Sequence, residues 1–259
     1  MVTIHKELNS DIMGLINFIL SNLFMKKVFG CSLLLCICAT VLSQVVTYEK
    51  ASKNNPVITQ DTAAKTMNPE DYGDIEGTPF LSPAWGKGML QLNTGKRFTD
   101  VSIQFNLVTN ELYYKKDNTS IVIASNVIEF VISFQNKGKV EMLYYKSGYP
   151  EFEKKTNRTF YRVMANGKNF HLLSFDYKAI EDTYTSTVNH PAKSSFNEGC
   201  KYFVFDVINN RLQPIQLNQE SLEKALPHME ISIQQYQRLH NIKIHTEEEM
   251  IELVKDLNQ

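Results

Sequence analysis

Acid–base chemistry needs two carboxylates, or a carboxylate and an imidazole, brought together across a fold. Glu129, Asp176 and Asp206 stand within or at the ends of segments that read as strands, where a carboxylate is unusual, and His171 alternates there with apolar neighbours. With His190 they are the candidate catalytic residues of a hydrolase acting on envelope polymers. The same four strand residues also suit the wet face of a half-exposed antiparallel sheet, which supplies such positions routinely. No P-loop, dinucleotide-binding glycine pattern, serine nucleophile elbow or metalloprotease helix motif is present. The remaining histidines, His228, His240 and His245, offer no pair at helix-face spacing, since the last two are five residues apart. No metal site and no cofactor is therefore expected.

The cysteines depend on the start of the chain. Met25-Lys26-Lys27 precedes an apolar run of 15 residues, Val28 to Leu42, and Val41 and Ser43 suit the positions three and one before a signal-peptidase cut. The run is shorter than the ~20 residues a membrane span needs. Cleavage after Ser43 removes Cys31, Cys36 and Cys38, and none of these sits where a lipidated cysteine belongs. Cys200 is then alone, expected as a small buried hydrophobe or, in the sharper reading, a catalytic thiol. Residues 1–24 contain a second apolar stretch, Ile12 to Phe24. They read as a start assigned too early, with Met25 the true one, or as an N-terminal extension that could act as an uncleaved anchor.

The chain carries a formal net charge of −1, and setting aside the first 43 residues leaves it weakly acidic. Nothing in that balance attracts nucleic acid or an anionic membrane surface. Membrane contact is expected only through an uncleaved signal segment. The candidate partners are an envelope protein, a glycan or a lipid.

Residues 44–78 are polar and read as a leader or tether. Beyond them the hydrophobic period becomes two. Val101, Ile103, Phe105 and Leu107 alternate with Ser102, Gln104 and Asn106, giving one buried and one wet face. Further strands are expected around Leu112, Ile121–Ile123, Ile128–Phe134 and Val140–Lys146. Thr159–Ala165 and Lys168–Phe175 flank Asn166-Gly167, a pair suited to the left-handed dihedrals of a tight turn. Tyr202–Ile208 and Arg211–Leu217 flank Asn209-Asn210 in the same way, with Pro214 marking an edge strand. Lys178 to Gly199 reads as a long polar loop, and Asn118-Thr119-Ser120 and Asn157-Arg158-Thr159 match the glycosylation pattern of eukaryotic secreted proteins. The period turns helical at the C-terminus. Ser221–Leu226 ends at Pro227. Met229, Ile233, Tyr236 and His240 recur on one face, and Thr246 with Glu249 forms a capping box before the stripe Met250, Leu253, Val254, Leu257. That stripe packs on the sheet or presents a partner-binding helix.

The fold class is mainly β (α+β): an antiparallel meander forming a curved sheet or partly open barrel over residues 79–217, with a small helical subdomain over 218–259. Gly77-Thr78-Pro79-Phe80-Leu81, Gly88 to Gly95, Phe105-Asn106-Leu107 with Asn110-Glu111-Leu112, and Ser221 to Pro227 together resemble uncharacterised exported β-rich proteins of Bacteroidetes-type bacteria. That resemblance implies a β-rich envelope protein and carries no catalytic residue over. The expectation is an exported protein, periplasmic or associated with the outer envelope, acting as a non-enzymatic binding or structural module. A carrier of lipid or another apolar ligand in a half-open barrel is the first rival, hinted at by Tyr113-Tyr114 and Leu143-Tyr144-Tyr145. The polymer hydrolase is the second.

Overall fold

The computed structural model describes residues 48–50, 72, 75–115, 121–124, 126–183, 193–240 and 243–259. The expected signal segment, His190 and the Asn118 glycosylation pattern lie outside them. Among the described residues twelve strands form one strongly curled sheet, an open half-barrel. They are β1 Tyr48–Lys50, β2 Ile75–Glu76, β3 Gly86–Leu92, β4 Arg97–Asn106, β5 Glu111–Lys115, β6 Ile121–Ile123, β7 Val127–Asn136, β8 Lys139–Lys146, β9 Tyr161–Asn166, β10 Phe170–Thr183, β11 Lys193–Asp206 and β12 Arg211–Ile215. The order is β12-β11-β10-β9-β8-β7-β3-β4-β5-β6, so two antiparallel meanders meet at the β3–β7 pairing. Two short pieces of the expected leader join in parallel, β1 along β4 and β2 along β11. Pro214 lies in β12, at one end of this order, as its missing N–H requires.

The tight curl has a local cause in β3. Gly86 and Gly88 are buried, and a Cβ on Gly88 would lie 2.2 Å from Ile103 Cδ1, so only glycine lets β4 approach this closely. Inside the curl Phe105, Phe130, Tyr145 and Phe160 pack with ring centroids 4.8 to 6.0 Å apart. Gln104 and Asn106, expected on a wet face, are buried. The segment before β3 covers them: Gln104 Nε2 donates to the carbonyls of Ser82 and Pro83 at 3.2 Å, and Phe80 bridges to Asn106.

Helices α1 (Gln219–Ala225), α2 (Glu230–His240) and α3 (Glu247–Asp256) follow β12, with a short 3₁₀ turn, Pro227–Met229, between the first two. Asn218 caps α1 on Ser221 N at 2.9 Å, and Thr246 and Glu249 close the capping box of α3. Leu222, Ile233, Met250 and Leu253 share a core with Phe170, Leu172 and Val204 on one face of the sheet. Alternate residues point the other way. There Leu173, Phe203 and Leu212 pack with Tyr149 and Tyr161, and Phe152 joins from the 147–160 connection.

Two turns depart from expectation. Asn166 and Gly167 do not adopt left-handed dihedrals. Gly167 is instead required by a close approach, since its Cβ would lie 1.9 Å from Asn258 Cγ. The Asn258 amide accepts from Asn169 N and Phe170 N, both at 2.9 Å, and donates to Phe170 O and Val254 O, clamping the end of α3 to the β9–β10 turn. In the other turn Asn210 alone is left-handed, at φ 48°. The expected polar loop Lys178–Gly199 largely forms strand: β10 and β11 pair over fourteen rungs, from Phe170↔Asp206 to Thr183↔Lys193. Across the ribbon Ser194 Oγ donates to Asp182 at 2.7 Å and Asn197 Nδ2 donates to Glu181, and Tyr177 lies over Gly199 opposite it.

Lys178 fastens the two arms of the curl. Its backbone N–H reaches Leu107 O at 3.1 Å, beside the β4–β5 turn. Its ammonium is almost fully buried and donates to Thr78 O at 3.0 Å, Phe80 O at 2.8 Å and Glu198 at 2.9 Å, satisfying its three protons.

Candidate functional site

The four candidate catalytic residues occupy separate structural roles. Asp176 accepts from Tyr145 OH at 2.8 Å and Ser174 Oγ at 2.5 Å, and its Oδ2 lies 3.1 Å from Arg162 Nε. Arg162 also reaches Glu247 at 3.1 Å, so one guanidinium ties β9 to β10 and to the first turn of α3. Burial works against the charge on Arg162, but the carboxylates of Asp176 and Glu247 outweigh it and hold its pKa above the usual value. Tyr145 is pushed well above the ordinary phenol range by burial and by Asp176. Asp176 is thus a saturated structural acceptor between the barrel core and the helices.

Asp206 accepts from Asn209 N at 3.0 Å and Asn209 Nδ2 at 2.7 Å, closing the β11–β12 turn, with His228 Nε2 at 3.5 Å. Glu129 accepts from Tyr144 OH at 2.8 Å, with Lys146 at 4.0 Å. His171 sits edge-on between Tyr149 and Phe205, its Nδ1 3.1 Å from the Tyr149 hydroxyl. Burial, with Lys146 nearby, lowers its pKa, so it is neutral at pH 7. Strand alternation puts Glu129 and His171 on the opposite face of the sheet from Asp176 and Asp206. The convergence a hydrolase needs is therefore not met by these four. Among the described residues no three His, Cys, Asp or Glu side chains gather as a metal ligand set. Cys200, expected to be buried, is exposed, because β12 pairs only with Tyr202–Asp206 and leaves this part of β11 uncovered; its thiol donates to Tyr202 OH at 3.2 Å.

A different place has the form of a binding site. A cleft of about 570 Å³ opens where the β4–β5 turn, the β6–β7 connection, the end of β8 and the 156–160 loop meet. Its volume falls in the range of small-molecule sites. Leu112, Val127 and Phe160 supply a buried apolar floor. Asn93, Glu111, Asn126, Asn157 and Arg158 supply polar walls.

Backbone ties hold these walls. Asn93 N donates to Asn126 O at 2.8 Å, Ala124 N to Leu112 O at 2.7 Å, and Gly148 N to Asn157 O at 2.7 Å. Asn110 exchanges two bonds with the Phe160 backbone, at 2.8 and 3.0 Å, binding segments fifty residues apart. Thr156 and Thr159 cross-bond within the loop, and Arg158 N donates to Thr156 Oγ1 at 3.2 Å. Among the described residues the side chains of Asn93, Asn126, Asn157 and Arg158 have no protein partner. Glu111 keeps one carboxylate oxygen on Tyr113 OH at 3.0 Å, and burial together with Glu111 pushes Tyr113 up to about 12. These residues were invisible as a set because they are scattered over the sequence, and Asn157-Arg158 stood out only as part of a glycosylation pattern.

No known protein family matches the chain, and no curated protein or solved structure matches it.

Proposed function

We propose that this chain is an exported protein, periplasmic or on the outer envelope, that acts as a non-enzymatic binding module and holds a hydroxyl-rich glycan in the cleft between Asn93, Asn126 and Asn157. One observation carries the reading: the cleft is pre-shaped by backbone ties, yet among the described residues its asparagine amides have no protein partner. An amide both donates and accepts, which matches sugar hydroxyls and acetamido groups, and a fixed wall lowers the ordering cost of binding. Every candidate catalytic carboxylate, in contrast, is engaged in holding a turn, a strand pair or a helix. The aromatic side chains filling the curl weigh against the rival lipid carrier, which needs that volume empty. Export rests on the Met25–Ser43 segment, and an origin among the Bacteroidetes-type exported proteins agrees with it.

Isothermal titration of mature protein with oligosaccharide fragments of bacterial envelope polymers tests the site. Binding that weakens about tenfold or more in the Asn126→Ala, Asn157→Ala double variant, by loss of two or more hydrogen bonds, is the expected result. Unchanged affinity in that variant contradicts it. N-terminal sequencing of protein purified from the native envelope tests export: a start at Gln44 supports it, and a retained Met25 segment counts against cleavage.

A further inference from the structure

Arg158 differs from the other walls of the cleft in carrying charge. Its side chain is exposed, it lines the cleft, and it has no carboxylate within ion-pair distance among the described residues. The backbone beneath it is fixed by the Thr156 hydroxyl at 3.2 Å, while Asn157 O is held by Gly148 N at 2.7 Å. The nearest acidic wall, Glu111, is occupied on one oxygen by Tyr113 OH and makes no ion pair with Arg158. The cleft lining therefore combines a planar cation unpaired among the described residues, neutral amides and a single carboxylate.

Resting on the reading of the cleft as a glycan site, we propose that its ligand is an anionic oligosaccharide, bearing a carboxylate or a phosphate, and that Arg158 reads the charge. A guanidinium meets either group through two parallel N–H···O bonds, and such charge-assisted pairs are about twice as strong as neutral ones. The asparagines hold the sugar hydroxyls in register, and the free oxygen of Glu111 accepts from a further hydroxyl.

The test is calorimetric titration of the mature protein with two matched pairs: trigalacturonic acid against its fully methyl-esterified form, and 6-phosphomannotriose against mannotriose. In the unaltered protein at least one acidic member binds about 10- to 100-fold more tightly than its neutral partner, and which pair responds identifies carboxylate or phosphate. Arg158→Gln brings the acidic ligand to within about twofold of the neutral one. Arg158→Lys, a point charge without the fork, restores part of the preference. Equal affinity within both pairs in the unaltered protein overturns the assignment of an anionic ligand, and a preference that survives Arg158→Gln overturns the role of Arg158; either result leaves the glycan site standing. Binding of none of the four overturns this inference, and the glycan reading is judged separately by the asparagine double variant on envelope fragments.

Discussion

Arg162 gathers a partly buried polar network where the sheet meets the helices. It joins Asp176 and Glu247, and through them Tyr145, Ser174 and Tyr202. Removing one partner of such a group leaves the others desolvated and unpaired, which costs more than the pair contributed. Asp176→Asn is therefore expected to lower unfolding stability by about 2–3 kcal/mol, measured by urea denaturation, with the midpoint shifting at constant slope. A catalytic Asp176 would instead leave stability nearly unchanged. The sequence marked Asp176 as unusual for the right reason, a carboxylate in a strand. It could not separate a structural acceptor from a catalytic one, because that depends on Arg162 and Glu247, fourteen residues before it and 71 after. For Asn157 and Arg158 the difficulty is similar: a cleft made from turns far apart in sequence has no local period.

At the scale of elements, short-range signals were legible and long-range ones were not. The capping box at Thr246, the Pro214 edge and the alternating strands follow from local chemistry and were readable. Asn166-Gly167 was misread as a left-handed turn because the glycine answers to Asn258, ninety-one residues later. The ends of β10 and β11 were read as loop because Ser, Thr and Asn serve turns and exposed ribbons equally. The Asn258 clamp gives a direct test. Asn258→Ala removes three hydrogen bonds to the β9–β10 turn and one to Val254 O in α3, and leaves the Asn169 and Phe170 amides without their Asn258 acceptor. A loss of about 2–3 kcal/mol is expected, with hydrogen exchange accelerating first at residues 167–170 and in α3. Uniform acceleration across the whole sheet would show that the clamp is not local.

At the scale of the molecule, the curved sheet was foreseeable, and its closure through Lys178 was not, since nothing local predicts a buried lysine held by two carbonyls and Glu198. The aromatic interior also gives the whole fold a pH limit. Burial raises Tyr161 to about 12, and burial with Glu111 does the same for Tyr113, against about 10 in an unfolded chain. Both groups stay protonated in the fold, so the stability they contribute is fully present below pH 10 and is lost as pH rises toward 12. The melting temperature should fall across that window, and their phenolate absorbance should appear with unfolding. Tyrosines that all ionise near pH 10 with no change in melting temperature would contradict the buried assignments.

The central claim is that the Asn93–Asn126–Asn157–Arg158 cleft is the working surface. Amide chemical-shift mapping of isotopically labelled mature protein, titrated with an oligosaccharide that binds it, tests this most directly. The account predicts shifts concentrated at residues 93, 109–112, 124, 126–128, 147–148 and 156–160. Shifts confined to another surface, such as the exposed Cys200 edge, with the cleft silent, would contradict it.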